Sequence, residues 1–260
     1  VIKGIDFAFG NGLTTAQIKA AGYQFVCRYL SGGNSKDINA AELGNYRAAG
    51  IPVVFVWETT GTDMTSVAQG VADATAAQAE LVKLGAADAP VFFAADAATE
   101  ANLAGYMQGV VSVLGHGRSG IYGGLASVKA AFDQGLVAYG WQTYAWSGGQ
   151  WDNRALLRQV RNGIACGPAQ VDEDEAAYWG VTTPVLTAAD DFGQWPRPSV
   201  PVPAGDVLVP DVTGKGANDA VSRLASLGLA AKVSSARPVV SQTPGPGAVL
   251  APGSVVDLGV

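Results

Sequence analysis

Side chains that serve most metal and nucleophilic chemistry are scarce in this 260-residue chain, which has two cysteines and one histidine, His116. No His/Cys cluster has metal-ligand spacing, and Gly32-Gly33 and Gly123-Gly124 fall short of a phosphate-binding fingerprint, so neither metal nor cofactor is expected. His116 sits in a Gly-flanked stretch between a helix and a strand, where a solvent-exposed, non-catalytic role is expected. Cys27 and Cys166 are too few to staple a fold, and Cys27 reads as a buried, inert thiol rather than half of a disulfide. Long apolar runs are also missing. Pro, Gly or charge interrupts each one well before the roughly 20 residues that a membrane span needs. Basic residues are outnumbered, 16 against 22 acidic ones, and the net charge of −6 disfavours nucleic acid or an anionic membrane as the main partner. A neutral or polymeric substrate fits better. The start at Val1 is compatible with removal of Met and with cleavage of a signal peptide, so localisation is not legible there.

What the chain does have is a set of apolar runs that end in carboxylates. Pro90 to Asp96 reads Pro-Val-Phe-Phe-Ala-Ala-Asp, Ile2 to Phe9 carries Asp6, and Pro52 to Thr60 carries Glu58. Runs of this kind read as strands of a parallel sheet covered on both faces. Helices are expected between them: one capped at Thr14-Thr15, one capped by Asn39 and stopped by Gly50, one from about Ser66 to Leu84 closed by Gly85, and further ones over 99–114 and 125–132. Strands over 24–30, 119–122, 139–146, 156–161 and 169–172 complete a count of eight. Strict alternation points to parallel βα units and an α/β fold, a (β/α)8 TIM-like barrel with its late helices reduced, because about 190 residues is short for this architecture. An open doubly wound sheet is the alternative. It would spread the three acids along an edge, whereas a closed barrel gathers them at one mouth.

Composition changes at Trp195-Pro-Arg-Pro-Ser-Val-Pro-Val-Pro, a stiff extended linker over 195–205. Residues 1–194 then form the barrel and 206–260 a small α+β unit, near the lower size limit for independent folding. In that unit Val209-Pro210-Asp211-Val212-Thr213-Gly214, Gly228-Leu229, Gln242-Thr243-Pro244-Gly245-Pro246-Gly247 and Pro252-Gly253-Ser254 closely resemble a PASTA domain. The resemblance implies an extracellular module associated with the bacterial cell wall. Its four acids (Asp206, Asp211, Asp219, Asp257) cancel four bases (Lys215, Arg223, Lys232, Arg237), so net charge gives no support for capturing anionic polymers, and a spacer role stays open.

The barrel carries Gly4-Ile5-Asp6, Phe25-Val26-Cys27-Arg28-Tyr29-Leu30, Val56-Trp57-Glu58, Phe93-Ala94-Ala95-Asp96, Ile121-Tyr122-Gly123-Gly124 and Trp141-Gln142-Thr143-Tyr144-Ala145-Trp146. These resemble the glycoside-hydrolase-like barrels of actinobacteria and their phages, which are similar in turn to family 25 lysozymes. In the lysozymes strand four ends in Asp-x-Glu, where this chain has Ala94 and Asp96. The resemblance implies a peptidoglycan-directed protein, extracellular or wall-associated, whether secreted or phage-delivered.

Alternation along each strand lets Asp6, Arg28, Glu58 and Asp96 face the barrel interior, with Cys27 then facing the helices. Gln142, Tyr144 and Trp146 share a face of strand six, Gln159 lies on strand seven and Asp172 on strand eight, and Tyr122 ends strand five. Glycosidic cleavage needs a protonated acid at the leaving oxygen and a second carboxylate. Glu58, set among Trp57, Val and Phe, is the general-acid candidate, with Asp96 or Asp6 as partner. Arg28, Tyr122, Gln142, Tyr144, Trp146, Gln159 and Asp172 are candidates for holding the glycan. Two plainer readings compete: Arg28 only neutralises Asp6 and Glu58 as a buried ionic layer, and Asp172 belongs to a solvated charge run, Asp172-Glu173-Asp174-Glu175. The function expected is a glycoside hydrolase acting on the peptidoglycan backbone. A glycan-binding barrel without catalysis and a phage structural or host-attachment protein are the alternatives.

Overall fold

The computed structural model describes residues 1–60, 64–95, 100–180, 186–187, 190–198 and 206–260. The chain divides into two compact units, one spanning Val1–Val113 and Arg118–Pro198, the other Leu114–Gly117 and Ser199–Val260.

The larger unit begins with five strand–helix pairs. They are β1 (Ile2–Asp6) and α1 (Thr15–Ala20), β2 (Phe25–Leu30) and α2 (Ala40–Ala49), β3 (Val53–Trp57) and α3 (Val67–Leu84), β4 (Val91–Ala95) and α4 (Glu100–Leu114), β5 (Ser119–Gly123) and α5 (Leu125–Asp133). Three strands follow with no α-helix between them, β6 (Tyr139–Thr143), β7 (Leu157–Cys166) and β8 (Ala169–Ala176). Punctuation follows local chemistry. Thr14 and Gln17 form a reciprocal capping box on α1, Asn39 accepts from Ala41 and Glu42 N–H, and Gly50 and Gly85 take left-handed conformations that end α2 and α3.

The strands close in the order β2-β1-β8-β7-β6-β5-β4-β3, with β3 returning to β2. This is the closed eight-stranded barrel with shortened late helices. One detail differs from the all-parallel expectation, because β8 runs antiparallel to both β7 and β1. Only Gly167-Pro168 separate β7 from β8, and a parallel crossover needs a dozen residues or more, so these strands can pair only as a hairpin. A short β9 (Gln194–Trp195) adds antiparallel to β3. It draws Trp195 out of the expected linker and onto the outer, helix-covered face of the barrel, where the buried indole packs near Phe55 under Arg47 of α2 and donates to Asp88.

Inside the barrel the layer farthest from the strand C-termini is apolar: Ile2, Phe25, Val54, Phe92, Leu157 and Ala176, closed over by Leu186 and Phe192. Outside, α3 and α4 touch backbone to backbone. A Cβ on Gly70 would lie 2.0 Å from Tyr106 O, and one on Gly109 would lie 2.2 Å from Val67 O.

The smaller unit contains β10 (Val207–Leu208), α6 (Ala217–Ala225), β11 (Ala230–Val233), β12 (Ser241–Thr243), β13 (Val249–Leu250) and β14 (Val255–Gly259). Its sheet β11-β14-β12 packs Val256 and Leu258 against Ala220 and Leu224 of α6, the inward positions of an amphipathic helix.

The helix contact predicts a position-specific cost. Gly109→Ala should destabilise the barrel by about 1–3 kcal/mol or more in denaturant melts, since backbone cannot yield to the new methyl. Gly105→Ala, whose methyl would meet Val67 at ordinary contact distances (Cγ2 3.6 Å, N 3.8 Å), should be neutral or mildly stabilising. Equal effects at both positions would contradict this packing.

Candidate active site

Above the apolar layer the interior turns polar. Asp6, the last residue of β1, faces inward and is 2% exposed. Its direct cross-strand partner on β8 is Asp172, and Asp174 stands opposite Gly4 one layer deeper. Antiparallel pairing of β1 with β8 therefore brings three carboxyls together, and donors from three other strands converge on them. Tyr29 of β2 donates its hydroxyl to Asp6 Oδ1 at 3.4 Å. Gln159 of β7 donates Nε2 to Asp6 Oδ2 at 2.9 Å and to Asp172 Oδ2 at 3.0 Å. The orientation of that amide is set by Tyr122 of β5, whose hydroxyl donates to Gln159 Oε1 at 3.0 Å. Trp141 of β6 donates Nε1 to Asp174 Oδ1 at 2.9 Å, and the Cys27 thiol approaches Asp174 Oδ2 at 3.6 Å.

Burial displaces all three acids upward, and repulsion adds to the rise at Asp6 and Asp174. Asp6 is raised from 3.8 to about 7, by desolvation first and the nearby Asp172 charge second, against the lowering effect of its bonds to Gln159, Asp174 and Tyr29. Asp174 is raised well above the ordinary range by burial and by Asp6. Asp172, half-buried at the mouth, is raised by burial while the Gly163 N–H at 2.8 Å acts against the rise.

Glu58 follows β3 at the same mouth, half-buried, and Lys36 donates Nζ to its Oε1 at 2.6 Å. The ammonium also lies over the Tyr29 ring, 4.9 Å from its centroid. The immediate partner of Glu58 is thus a cation, where the sequence offers only apolar neighbours. Among the described residues no group of three or more His, Cys, Asp and Glu side chains is placed to hold a metal ion.

The Rv2525c-like, glycoside hydrolase-like domain matches residues 16–176, well over half of the chain. The chain belongs to the Rv2525c-like glycoside hydrolase-like family. Residues 207–260 match the PASTA domain. Among solved structures the barrel is similar to the Tat-secreted protein Rv2525c of Mycobacterium tuberculosis, crystallised in complex with L-tartrate. Identity is 25%, the TM-score is 0.63, and the match covers 74% of this chain and 98% of that one. The fold is shared by an uncharacterised B. stearothermophilus protein (19% identity, TM-score 0.51, 68% and 96% covered). It is shared too by the modular autolysin LytC of Streptococcus pneumoniae (13%, TM-score 0.52, 66% and 46% covered). No curated protein matches the chain.

In this Rv2525c-like barrel Asp6, Tyr122, Gln159 and Asp172 meet in one network, and Glu58 stands at the same mouth. Asp96 lies outside the described residues. Arg28 does not face the interior. It turns outward and binds Glu42 of α2 through Nε (2.7 Å) and Nη2 (3.2 Å), and Phe7 O through Nη1 (2.6 Å), so it neutralises Glu42 instead of Asp6 and Glu58. The inward place on β2 belongs to Cys27, a thiol outside any disulfide that lies among barrel side chains rather than against the helices. Gln142 is outward as well. It is fully buried and ties the β6–β7 connection together through Ser147 Oγ, Gln150 O and Asp152 N–H. Tyr144 and Trp146 are not on a strand face, because β6 ends at Thr143. They project from the following turn, 44% and 66% exposed, with Trp146 at φ 55°. His116 is half-buried in a 3-10 turn, not solvent-exposed. Asp174 and Trp141 were missed. The signal for Asp174 was the two-residue period of Asp172-Glu173-Asp174-Glu175, which puts both Asp on one face, while Glu173 turns outward to Lys3, Tyr23 and Arg161.

The displaced Asp6 fixes a pH dependence. Between about pH 4 and 7 the folded chain keeps a proton that the unfolded chain has lost, so this stabilisation is complete below about 4 and disappears as pH rises through about 7. Asp6→Asn should melt like the wild type near pH 4 and gain up to about 4 kcal/mol relative to it near pH 9. Parallel stability curves for the two proteins from pH 4 to 9 would contradict the displacement.

Proposed function

We propose that the barrel is a cell-wall-directed glycoside hydrolase that cleaves the sugar backbone of peptidoglycan, with Asp6 and Asp172 as its acid/base carboxyl pair. The observation that carries the reading is the single amide nitrogen of Gln159 holding one oxygen of each, beside an Asp6 raised to about 7. Such a pair supplies both forms that glycosidic cleavage needs at neutral pH, a carboxyl with a proton to give to the leaving oxygen and a carboxylate to attack or to activate water. Asp172 reaches the mouth, and Asp6 lies directly behind it. Exposed Tyr144 and Trp146 offer ring faces for sugar stacking, and Trp146 holds a left-handed backbone that bulky residues rarely adopt. Asp96 stays in the set of candidate carboxylates on sequence grounds. Membership of the family, and the autolysin that shares the fold, support the choice of wall glycan. The PASTA domain supports an extracellular or wall-associated location, where it would keep the barrel near its polymer.

A second reading, a barrel that binds glycan without cutting it, is favoured by the Lys36–Glu58 ion pair. That pair leaves Glu58, the general-acid candidate of the sequence, committed to a cation. Reducing-end release from purified peptidoglycan separates the two. In the hydrolase, Asp172→Asn lowers turnover by about 10²-fold or more while pull-down on insoluble wall is retained, because only proton transfer is lost. Asp96→Asn run in parallel tests the remaining acid. Wall binding with no release by the wild-type protein would establish the binder, and full activity in Asp172→Asn would remove Asp172 from the chemistry.

A further inference from the structure

Asp174 has no part in the pair just described, yet it is the most completely buried acid of the cluster. It lies two residues before the end of the β8 hydrogen-bonding register with β1, opposite Gly4 and so diagonal to Asp6 on the same inward face, and the two carboxyls act on each other's charge. We propose that Asp174 is a positioning residue that stays a neutral carboxylic acid and donates its proton in a hydrogen bond to Asp6, so that Asp6 is the member of the pair that changes charge. This deepens the reading above and rests on it for the role of Asp6.

The inventory of donors supports this direction. Asp174 receives an indole N–H from Trp141 and a thiol S–H from Cys27, the weakest donor of the set. Burial pushes the Cys27 thiol well up, so it keeps its hydrogen and brings no charge of its own. Asp6 receives a hydroxyl from Tyr29 and an amide N–H from Gln159. A negative charge is therefore better supported on Asp6 than on Asp174. The groups that face the cluster are Asp6 on β1, Cys27 and Tyr29 on β2, Glu58 after β3, Tyr122 on β5, Trp141 on β6, Gln159 on β7 and Asp172 on β8. No cation faces Asp174 among the described residues, and Lys36 is engaged with Glu58. Two ionised carboxylates side by side with no cation between them are not sustainable in a dry interior, so one proton stays with the pair and resides on the deeper acid.

The two states of Asp174 predict opposite effects on Asp6. If Asp174 is neutral, Asp174→Asn keeps a donor and removes no charge, and the Asp6 midpoint, followed by NMR of carboxyl-labelled aspartate, should move by less than about half a unit. Asp174→Leu deletes the donor and should raise that midpoint by about one unit or more. A drop of about one unit or more in Asp174→Asn would show that an anion had been removed and would overturn the proposal, as would an unchanged midpoint in Asp174→Leu. Should either variant fail to fold, infrared spectroscopy of the wild-type protein decides. Near pH 9 a carbonyl band of a protonated carboxyl should persist, and its absence would overturn the assignment. None of these signals depends on glycan cleavage, so they decide the matter even if the barrel proves to be a binder.

Discussion

Two neighbouring carboxyls, sealed inside a barrel with no cation beside them, cannot both be charged. This constraint on Asp6 and Asp174 explains the polar layer around them. Tyr29, Gln159, Trp141 and Cys27 all present hydrogens to the pair, and Tyr122 turns the Gln159 amide so that its nitrogen faces the acids. These side chains come from strands far apart in sequence, and only closure of the sheet brings them together. The reversed β8 is the decisive element. By inserting antiparallel between β7 and β1 it places two aspartates of one face beside the end of β1. Without it the barrel would have strand-end acids but no cluster.

A second set of charges stands outside and holds the mouth in place. Arg28 crosses from β2 to Glu42 at the start of α2 and to the carbonyl of Phe7, so one guanidinium ties together the loops that follow β1 and β2. It also donates to Lys36 O, and Lys36 in turn reaches over Tyr29 to Glu58. Inner and outer charge networks thus share the β2–α2 loop. A buried cation with a good bidentate partner sustains such an arrangement, whereas the same arginine turned inward would have faced two acids already supplied with hydrogen-bond donors.

Much of this was legible in the sequence. Apolar runs ending in acids located β1 and β3, helix caps and glycine stops located α1 to α3, and the motifs of 207–260 identified the PASTA unit. Errors came where local pattern and tertiary context compete. Alternation by itself lets either Arg28 or Cys27 face inward on β2, and Arg28, expected inside, finds its acid on a helix instead. The face of strand six was counted back from Trp146, but the strand stops at Thr143 and turns, which reverses the sides of Gln142 and Trp141. Four alternating acids in Asp172-Glu173-Asp174-Glu175 look like a solvated run until the two-residue hairpin connection is taken seriously. The hairpin makes this stretch a strand with one face on the interior, and a strand of period two then buries both aspartates.

The central claim is that the folded barrel holds protons near neutrality that the unfolded chain releases, and counting them is its most direct test. Unfolding measured calorimetrically at pH 6, in buffers of different ionisation enthalpy, gives the number released. The account predicts about two more protons from the wild-type protein than from the Asp6→Asn/Asp174→Asn double variant, because both acids are protonated when folded and ionised when unfolded at that pH. Equal proton release from the two proteins would contradict it.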